Sequence, residues 1–404
     1  MRIVFLSPTG ELGGAEIALL EVLASLREAQ PSWMLHLIAA SGGSLAGRAE
    51  EYGVPATVLA FPAALARLGE WGRRSGPVDR LALLAGLCRA AGPASAYVRR
   101  LRSLLRNLRP DVLHSNGLKM HLLGAWARPP RAALLWHLHD YPGARPLTAR
   151  LLRRYARECA AIVTNSASVA TDARAVFGDG VRIHTVHNAV DLDRFSPEGP
   201  TLDLDRLSAL PPAGPAVVRV GLVATFARWK GHETFLRALA RLPAGLDVRG
   251  YIIGGPLYQT DRSQYSMEEL RALAAALGLS ARVGFTGRVA DPAAAFRALD
   301  VMVHASTERE PFGLVIAEAM ASGRPVVISG TGGAAELAVE DINALVYAPG
   351  DADALAGCIT RLATDPELRR RFGRAGRELA VERFARRRLA RELVPIYEAL
   401  ASTN

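Results

Sequence analysis

Along most of the chain, short runs of β-branched and aliphatic residues alternate with longer segments whose apolar positions recur at helical spacing. That is the pattern of βα units wound around parallel sheets. In the first half the strand-like runs are 2–7, 34–40, 56–61, 111–115, 133–138, 161–165 and 182–186. Helical periodicity fills the intervals and is clearest at 15–26 and 97–108. Between 191 and 215 the periodicity lapses and prolines collect, as in PEGP and PPAGP, so this stretch reads as a linker. A second series follows at 216–225, 247–254, 282–285, 300–304, 325–329 and 344–347, and helical segments at 351–363, 367–379 and onward to 399 close the chain. The predicted fold class is α/β: two Rossmann-like, doubly wound domains facing a central cleft. The N-terminal domain spans 1–190 and is joined by a C-terminal helix, 381–404; the linker is 191–215 and the C-terminal domain 216–380. In such sheets ligands sit beyond the carboxyl ends of the strands, which tells where chemistry should be sought.

Size agrees with this division, because 404 residues exceed what one hydrophobic core usually serves. No run approaches the roughly 20 apolar residues of a membrane span. MRIVFLSPTGELGG reads as a buried strand and turn, not a signal peptide, so a cytoplasmic location is expected. Cys88, Cys159 and Cys358 are scattered and odd in number, which suits neither a disulfide framework nor a zinc cluster. The net charge of +10 is carried by arginine almost throughout: only Lys119 and Lys230 are lysines among 49 basic residues. That charge suits anionic substrates, acidic membranes or nucleic acid alike and does not choose among them.

The chemistry concentrates at predicted strand ends. In EPFGLVIAEAMASGRPVV, residues 310–327, a loop carrying Glu310 leads into a helix beginning near Gly313, with Glu318 about a turn and a half inside it. The amides of Gly313, Leu314 and Val315 at that helix start are suited to a diphosphate, and the two carboxylates to sugar hydroxyls. Upstream, VGLVATFARWKGHETFLRAL places Lys230 and Gly231 at the end of a buried strand. A lysine there can neutralise charge on a departing nucleoside diphosphate, an effect typically worth about 3 kcal/mol in a dry site. GTGGAAEL, with Glu336, is readable either as a phosphate-approaching turn or as a turn alone. LGGAEIAL supplies the matching element of the first half, Gly13 and Gly14 ahead of a helix starting near Ala15. Neither half has G-x-G-x-x-G, which argues against a dinucleotide cofactor. His137 and His139 end the run ALLWHL; their spacing alone is weak grounds for a metal, and none is expected. His114, His187 and His304 also fall near strand ends and receive no role.

Taken together, LGGAE, WHLHDYP, WKGHETFLRAL, FTGRVADP, EPFGLVIAEAMASGRPVV, GGAAEL and PGDADALA make the chain resemble glycosyltransferase family 4 over essentially its full length. These are retaining, nucleotide-sugar-dependent enzymes of the GT-B fold. The resemblance implies that Glu310 contacts the donor sugar and Glu318 the nucleotide ribose. Lys230 would bind the diphosphate, with the amides of Gly313, Leu314 and Val315 capping it. His139 would look toward the donor sugar, with His137 as the fallback, and Gly13 and Gly14 would line the donor–acceptor junction beside Glu16. Arg288 would border the base. His139, Lys230 and Glu310 are thus the candidate catalytic residues. The family commonly has a diphosphate-binding arginine five residues before the lysine; here that position is Thr225, and Arg228 is the candidate substitute.

The expected activity is retaining transfer of a sugar from a nucleoside-diphosphate sugar to an acceptor hydroxyl in glycan, glycolipid or glycoconjugate biosynthesis. The donor acts as co-substrate, with no other cofactor and no obligate metal. The rival readings are a GT-B sugar-nucleotide epimerase and a sugar-nucleotide-binding protein with weak catalysis. The expected partners are the nucleotide sugar and a glycan, lipid-linked or small-molecule acceptor. Nucleic acid is not among them, since no module signature accompanies the charge. In YVRRLRSLLRNL, residues 97–108, leucines and Tyr97 share one helical face and arginines the rest. Such a helix could rest peripherally on an anionic membrane or pack on the N-terminal sheet, and packing is the expectation.

Overall fold

The computed structural model describes residues 1–66, 77–256 and 263–402, and for 66, 77–88 and 147 the backbone alone. The chain forms two compact units, Met1–Asn188 with Arg386–Asn404, and Ala189–Ala385.

The first unit is built on seven strands: β1 (Arg2–Ser7), β2 (Met34–Ala39), β3 (Ala56–Val58), β4 (Val112–Asn116), β5 (Ala133–Leu138), β6 (Ala161–Thr164) and β7 (Ile183–Thr185). Their order is β3-β2-β1-β4-β5-β6-β7, with parallel pairing throughout. β4 and β5 are buried along their whole length, as strands covered by helices on both faces must be. The order reverses between β1 and β4, which makes that gap the switch point where loops diverge and a ligand can enter.

The helix Pro77–Leu108 settles the use of the amphipathic stretch. Tyr97, Leu101 and Leu105 are buried in the core against Leu113, Met120 and Trp136, while Arg99, Arg100, Arg102 and Arg106 are exposed. The apolar face of 97–108 therefore packs on the sheet. Among the described residues no helix is long and apolar enough to cross a membrane. The closing helix, Arg387–Ser402, belongs to this unit. The Arg386 guanidinium pairs with Glu21 at 2.5 Å, Ser25 Oγ donates to the Arg386 carbonyl at 2.8 Å, and buried Tyr397 meets His114 Nδ1 at 2.6 Å. Cys159 and Cys358 are free thiols; the side chain of Cys88 lies outside the described residues.

The second unit has six parallel strands: β8 (Val218–Val223), β9 (Val248–Ile253), β10 (Val283–Gly287), β11 (Val301–His304), β12 (Val326–Ser329) and β13 (Ala344–Tyr347). Their order, β10-β9-β8-β11-β12-β13, puts the switch point between β8 and β11. The stretch 191–215, read from its prolines as a linker, is instead part of this unit. Asp205, in the short helix Leu204–Leu207, is buried there and accepts from Tyr251 Oη at 2.6 Å and Arg249 at 2.5 Å. Arg297 Nε donates to the Pro200 carbonyl and Arg377 to that of Phe195, so arginines of the unit satisfy the loop's backbone.

Candidate active site

In the second unit the loops after β8 and β11 are locked together at the switch point. After β8 the chain makes a tight turn, Arg228–Lys230, and enters the helix His232–Ala240 through Gly231. Gly231 adopts φ +74°, and a Cβ there would lie 1.8 Å from the carbonyl oxygen of Ala305, just past β11. Only glycine permits that approach. Thr307 N–H donates to the Trp229 carbonyl at 2.7 Å, closing the contact.

This approach carries Lys230 Nζ to 2.6 Å from Glu310 Oε2. The same oxygen accepts from Ser306 Oγ at 3.0 Å and lies 3.2 Å from His304 Nε2. Glu310 is only 7% exposed. Burial opposes its ionisation, but the Lys230 ammonium, followed by the His304 hydrogen bond, outweighs burial and holds the carboxyl far below its ordinary range. Burial also lowers the His304 pKa against the pull of Glu310, so the imidazole is neutral at pH 7. With its proton on Nε2 it donates to Glu310, and Nδ1 faces Ser329 Oγ at 3.3 Å. The site thus holds a fixed carboxylate and a fixed ammonium side by side.

The glycine-rich turn belongs to the same assembly. Gly333 N–H donates to the Glu310 carbonyl at 2.7 Å, and Glu310 bridges Gly332 in parallel fashion. Glu336 follows within the 3-10 turn Gly333–Leu337. Two residues beyond Phe312 the helix Leu314–Ala321 begins, with Gly313 as its N-cap and no side chain capping it. The Leu314 and Val315 amides have no partner inside the helix, as first-turn amides cannot. Glu318, 7% exposed, lies in its second turn.

Arg228 is placed differently from Lys230. Its guanidinium meets Glu269 at 2.7 Å and stacks 4.2 Å from the Tyr265 ring centroid, so it is engaged on the helix Met267–Ala276. Arg288 follows β10, the edge strand, and donates to the Pro256 carbonyl at 2.7 Å. These two arginines are not drawn into the Glu310 cluster.

The first unit gathers a contrasting group at its own strand ends. Gly13 caps the helix Gly14–Ala29, and its N–H donates to Glu16 at 3.2 Å. Glu16 is pushed up to about 7, first by burial and further by the Asp140 carboxylate, against the opposing effect of backbone hydrogen bonds. His139, half-buried just past β5, donates from Nε2 to Asn116 Oδ1 at 3.0 Å, and burial lowers its pKa to about 4. His137 lies 4.2 Å away, ring to ring, but is 2% exposed, so His139 is the one of the pair with an accessible edge. Among the described residues no group of three or more His, Cys, Asp or Glu side chains is placed to hold a metal ion.

Sequence reading named Lys230, Glu310 and the helix start but gave His304 and Ser306 no part. The one available signal was their place at a strand end, six and four residues before Glu310.

Two doubly wound units are what GT-B glycosyltransferases are built from, and known proteins similar to this chain assign it to that fold. Family models match both halves: "Glycosyltransferase Family 4" over residues 12–194 and "Glycosyl transferases group 1" over 218–379. The lipopolysaccharide core biosynthesis glycosyltransferase LpsE of Rhizobium meliloti (strain 1021) is 31% identical over 294 residues, 71% of this chain and 75% of LpsE. The chain therefore belongs to glycosyltransferase family 4. A D-inositol 3-phosphate glycosyltransferase of Xylanimonas cellulosilytica is 32% identical over 59% of this chain and 56% of its own length. Anabaena HepE, solved in complex with UDP-glucose, superposes with a TM-score of 0.76 at 25% identity, covering 100% of this chain and 99% of HepE.

Proposed function

We propose that the chain transfers a sugar from a UDP-sugar to an acceptor hydroxyl, with retention at the anomeric carbon, in glycan or glycoconjugate assembly. The observation that carries this reading is the Lys230–Glu310–His304–Ser306 cluster beside the uncapped start of Leu314–Ala321. The nucleotide assignment rests on likeness to HepE, and the setting in glycoconjugate assembly on likeness to LpsE.

The chemistry then follows from charge. As the bond between the anomeric carbon and the diphosphate breaks, negative charge grows on the leaving oxygens. Lys230 and the Leu314 and Val315 amides are fixed donors for that charge and need no reorganisation when it appears. Glu310, held ionised, accepts from hydroxyls of the transferred sugar and orients it, and Glu318 does the same for the ribose. The neutral imidazole of His139 is the proposed hydrogen-bonding contact of the first unit to the sugar. The acceptor oxygen attacks on the same face as the departing diphosphate and gives up its proton to the leaving phosphate oxygen, which retains configuration without a protein nucleophile. No metal is needed in this scheme. Any contact with an anionic membrane through the stretch 97–108 would run through its exposed arginines, since the apolar face of that stretch is in the core.

The test is product analysis by NMR with UDP-glucose and an acceptor panel, with and without EDTA. An α-linked product from the α-donor, formed equally with EDTA, is expected. A β-linked product refutes retention, loss with EDTA restored by a divalent ion refutes metal independence, and an altered donor without any acceptor indicates an epimerase.

A further inference from the structure

The transfer chemistry above uses His139 but leaves the two imidazoles packed behind it without a task. His114 and Asn116 lie two residues apart on β4 and so share one face of the sheet, and His137 on β5 pairs in register with Asn116. On that face the rings form a stack: His114 and His137 are 5.3 Å apart, centroid to centroid, and His137 and His139 4.2 Å. Ser115, between His114 and Asn116, belongs to the other face, and its Oγ meets His121 Nδ1 at 2.8 Å. His121 is therefore not part of the stack.

The stack is pinned by hydrogen bonds at its two ends and not between them. At one end His139 Nε2 donates to Asn116 Oδ1 at 3.0 Å. At the other, Tyr397 of the closing helix brings its hydroxyl to 2.6 Å from His114 Nδ1. Among the described residues neither ring nitrogen of His137 has a hydrogen-bond partner, so packing alone sets that ring. His114 Nε2 has none either, which leaves the Tyr397 hydroxyl as the one hydrogen bond that orients the His114 ring.

That hydroxyl also fixes a proton. Tyr397 is fully buried, with Trp33 edge-on to its ring at 6.0 Å, and among the described residues His114 Nδ1 is the one hydrogen-bond partner of its Oη. A buried O–H needs an acceptor, so it donates to Nδ1 and the His114 ring carries its proton on Nε2. Burial lowers the pKa of all three imidazoles, which are neutral at pH 7. Leucine or phenylalanine would fill this space without burying unpaired nitrogens, and such departures from core chemistry are expected where function requires them.

We propose that Tyr397 is a positioning residue for recognition of the donor sugar: its hydroxyl fixes His114 and, through the packed rings of His114 and His137, the orientation of His139. The proposal rests on the reading that His139 contacts the transferred sugar, and it adds the closing helix Arg387–Ser402 to the parts that make that contact. His114 and His137 are fully enclosed, so a change of tautomer or tilt at the first ring is passed on through close packing to the next. UDP alone, which lacks the sugar, does not sense it.

Imidazole ¹⁵N NMR of the full chain reads each link, with the signals assigned by His114→Gln and His139→Ala. In wild type His114 should show the Nε2–H tautomer; a proton on Nδ1 overturns the proposal without any variant. Tyr397→Phe keeps the ring and removes the hydroxyl. It should shift the nitrogens of His139 as well as those of His114, and His139 signals that stay in place while those of His114 move overturn the proposal. By calorimetry Tyr397→Phe should bind UDP-glucose at least threefold more weakly than wild type and UDP within twofold of it. In a His139→Ala background Tyr397→Phe should weaken UDP-glucose binding no further; an undiminished loss there means that Tyr397 acts by another route and overturns the proposal. The contact of His139 with the sugar is judged separately: if both NMR links hold but His139→Ala binds UDP-glucose as wild type does, the positioning of His139 by Tyr397 stands and the sugar contact falls.

Discussion

Glu310 in the second unit and Glu16 in the first are equally enclosed, at 7% exposure each, and both follow strands that border a switch point, yet they are driven in opposite directions. Burial alone would raise both carboxyls. Glu310 has an ammonium at 2.6 Å and a neutral imidazole donor, and it stays ionised far below its ordinary range. Glu16 has backbone N–H groups and a second carboxylate, Asp140, and is pushed up to about 7. Neighbours, not depth, decide whether a buried acid is a fixed charge or a titrating one. The second unit thus holds a permanent buried charge, and the first a buried carboxyl near half-protonation at neutral pH.

The largest effect should come from removing the cation that separates the two cases. Lys230→Met leaves Glu310 buried without its main partner, and breaking such a pair costs about 3–5 kcal/mol. Urea melts at pH 7 should show that loss, and Glu310→Gln combined with Lys230→Met should recover most of it. A loss below about 1 kcal/mol in the single variant would mean that the pair does not hold Glu310 ionised.

Next comes a dependence of opposite sign. The folded state holds the Glu16 proton up to about pH 7, whereas the unfolded chain releases it near 4.5. Its contribution is therefore full below 4.5 and is lost as pH rises through 7. Glu16→Gln should leave stability nearly unchanged at pH 4.5 and raise it by roughly 2–3 kcal/mol at pH 8. For Glu310 the sign reverses: its contribution is present above 4.5 and is lost as pH falls toward its depressed folded value. Equal melts of wild type and Glu16→Gln at both pH values would remove Glu16 from the comparison.

A smaller change is expected at His304. His304→Ala deletes one of the donors to Glu310 and should cost about 1–3 kcal/mol, with Lys230 still paired. The smallest effect on stability belongs to Arg228. Its contact with Glu269 is solvent-exposed, so Arg228→Ala should change stability by less than about 1 kcal/mol. If Arg228 leaves Glu269 to bind the diphosphate, Arg228→Ala should weaken UDP binding, and Thr225→Arg should partly restore it. Calorimetry showing unchanged UDP affinity in Arg228→Ala would mean that Lys230 and the helix amides suffice without it.

Much of this was legible in the sequence because it is local. The runs 2–7 and 133–138 became β1 and β5 without change, since strands covered on both faces are continuous apolar runs. The runs 56–61 and 182–186 shortened to Ala56–Val58 and Ile183–Thr185, which are the two edges of the sheet and pair on one side only. Lys230, Gly231 and Glu310 announced themselves by position at strand ends. What escaped reading depends on partners distant in sequence. Asp205 is held by Arg249, 44 residues on, and nothing in the proline-rich stretch 191–215 shows that contact. Arg228 looked free to serve the diphosphate because Glu269, 41 residues away, was not visible as its partner. His304 and Ser306 gained their role only when β11 delivered them to the carboxylate of Glu310.

That Lys230 and Glu310 form the proposed donor site is tested most directly by calorimetric titration of UDP into wild type and Lys230→Met. The combined Glu310→Gln, Lys230→Met variant serves as the folded control should the single variant prove unstable. Saturable one-to-one binding to wild type is predicted, weakened at least tenfold in both variants, a loss of about 1.4 kcal/mol or more. UDP affinity within twofold of wild type in a folded variant would contradict the account.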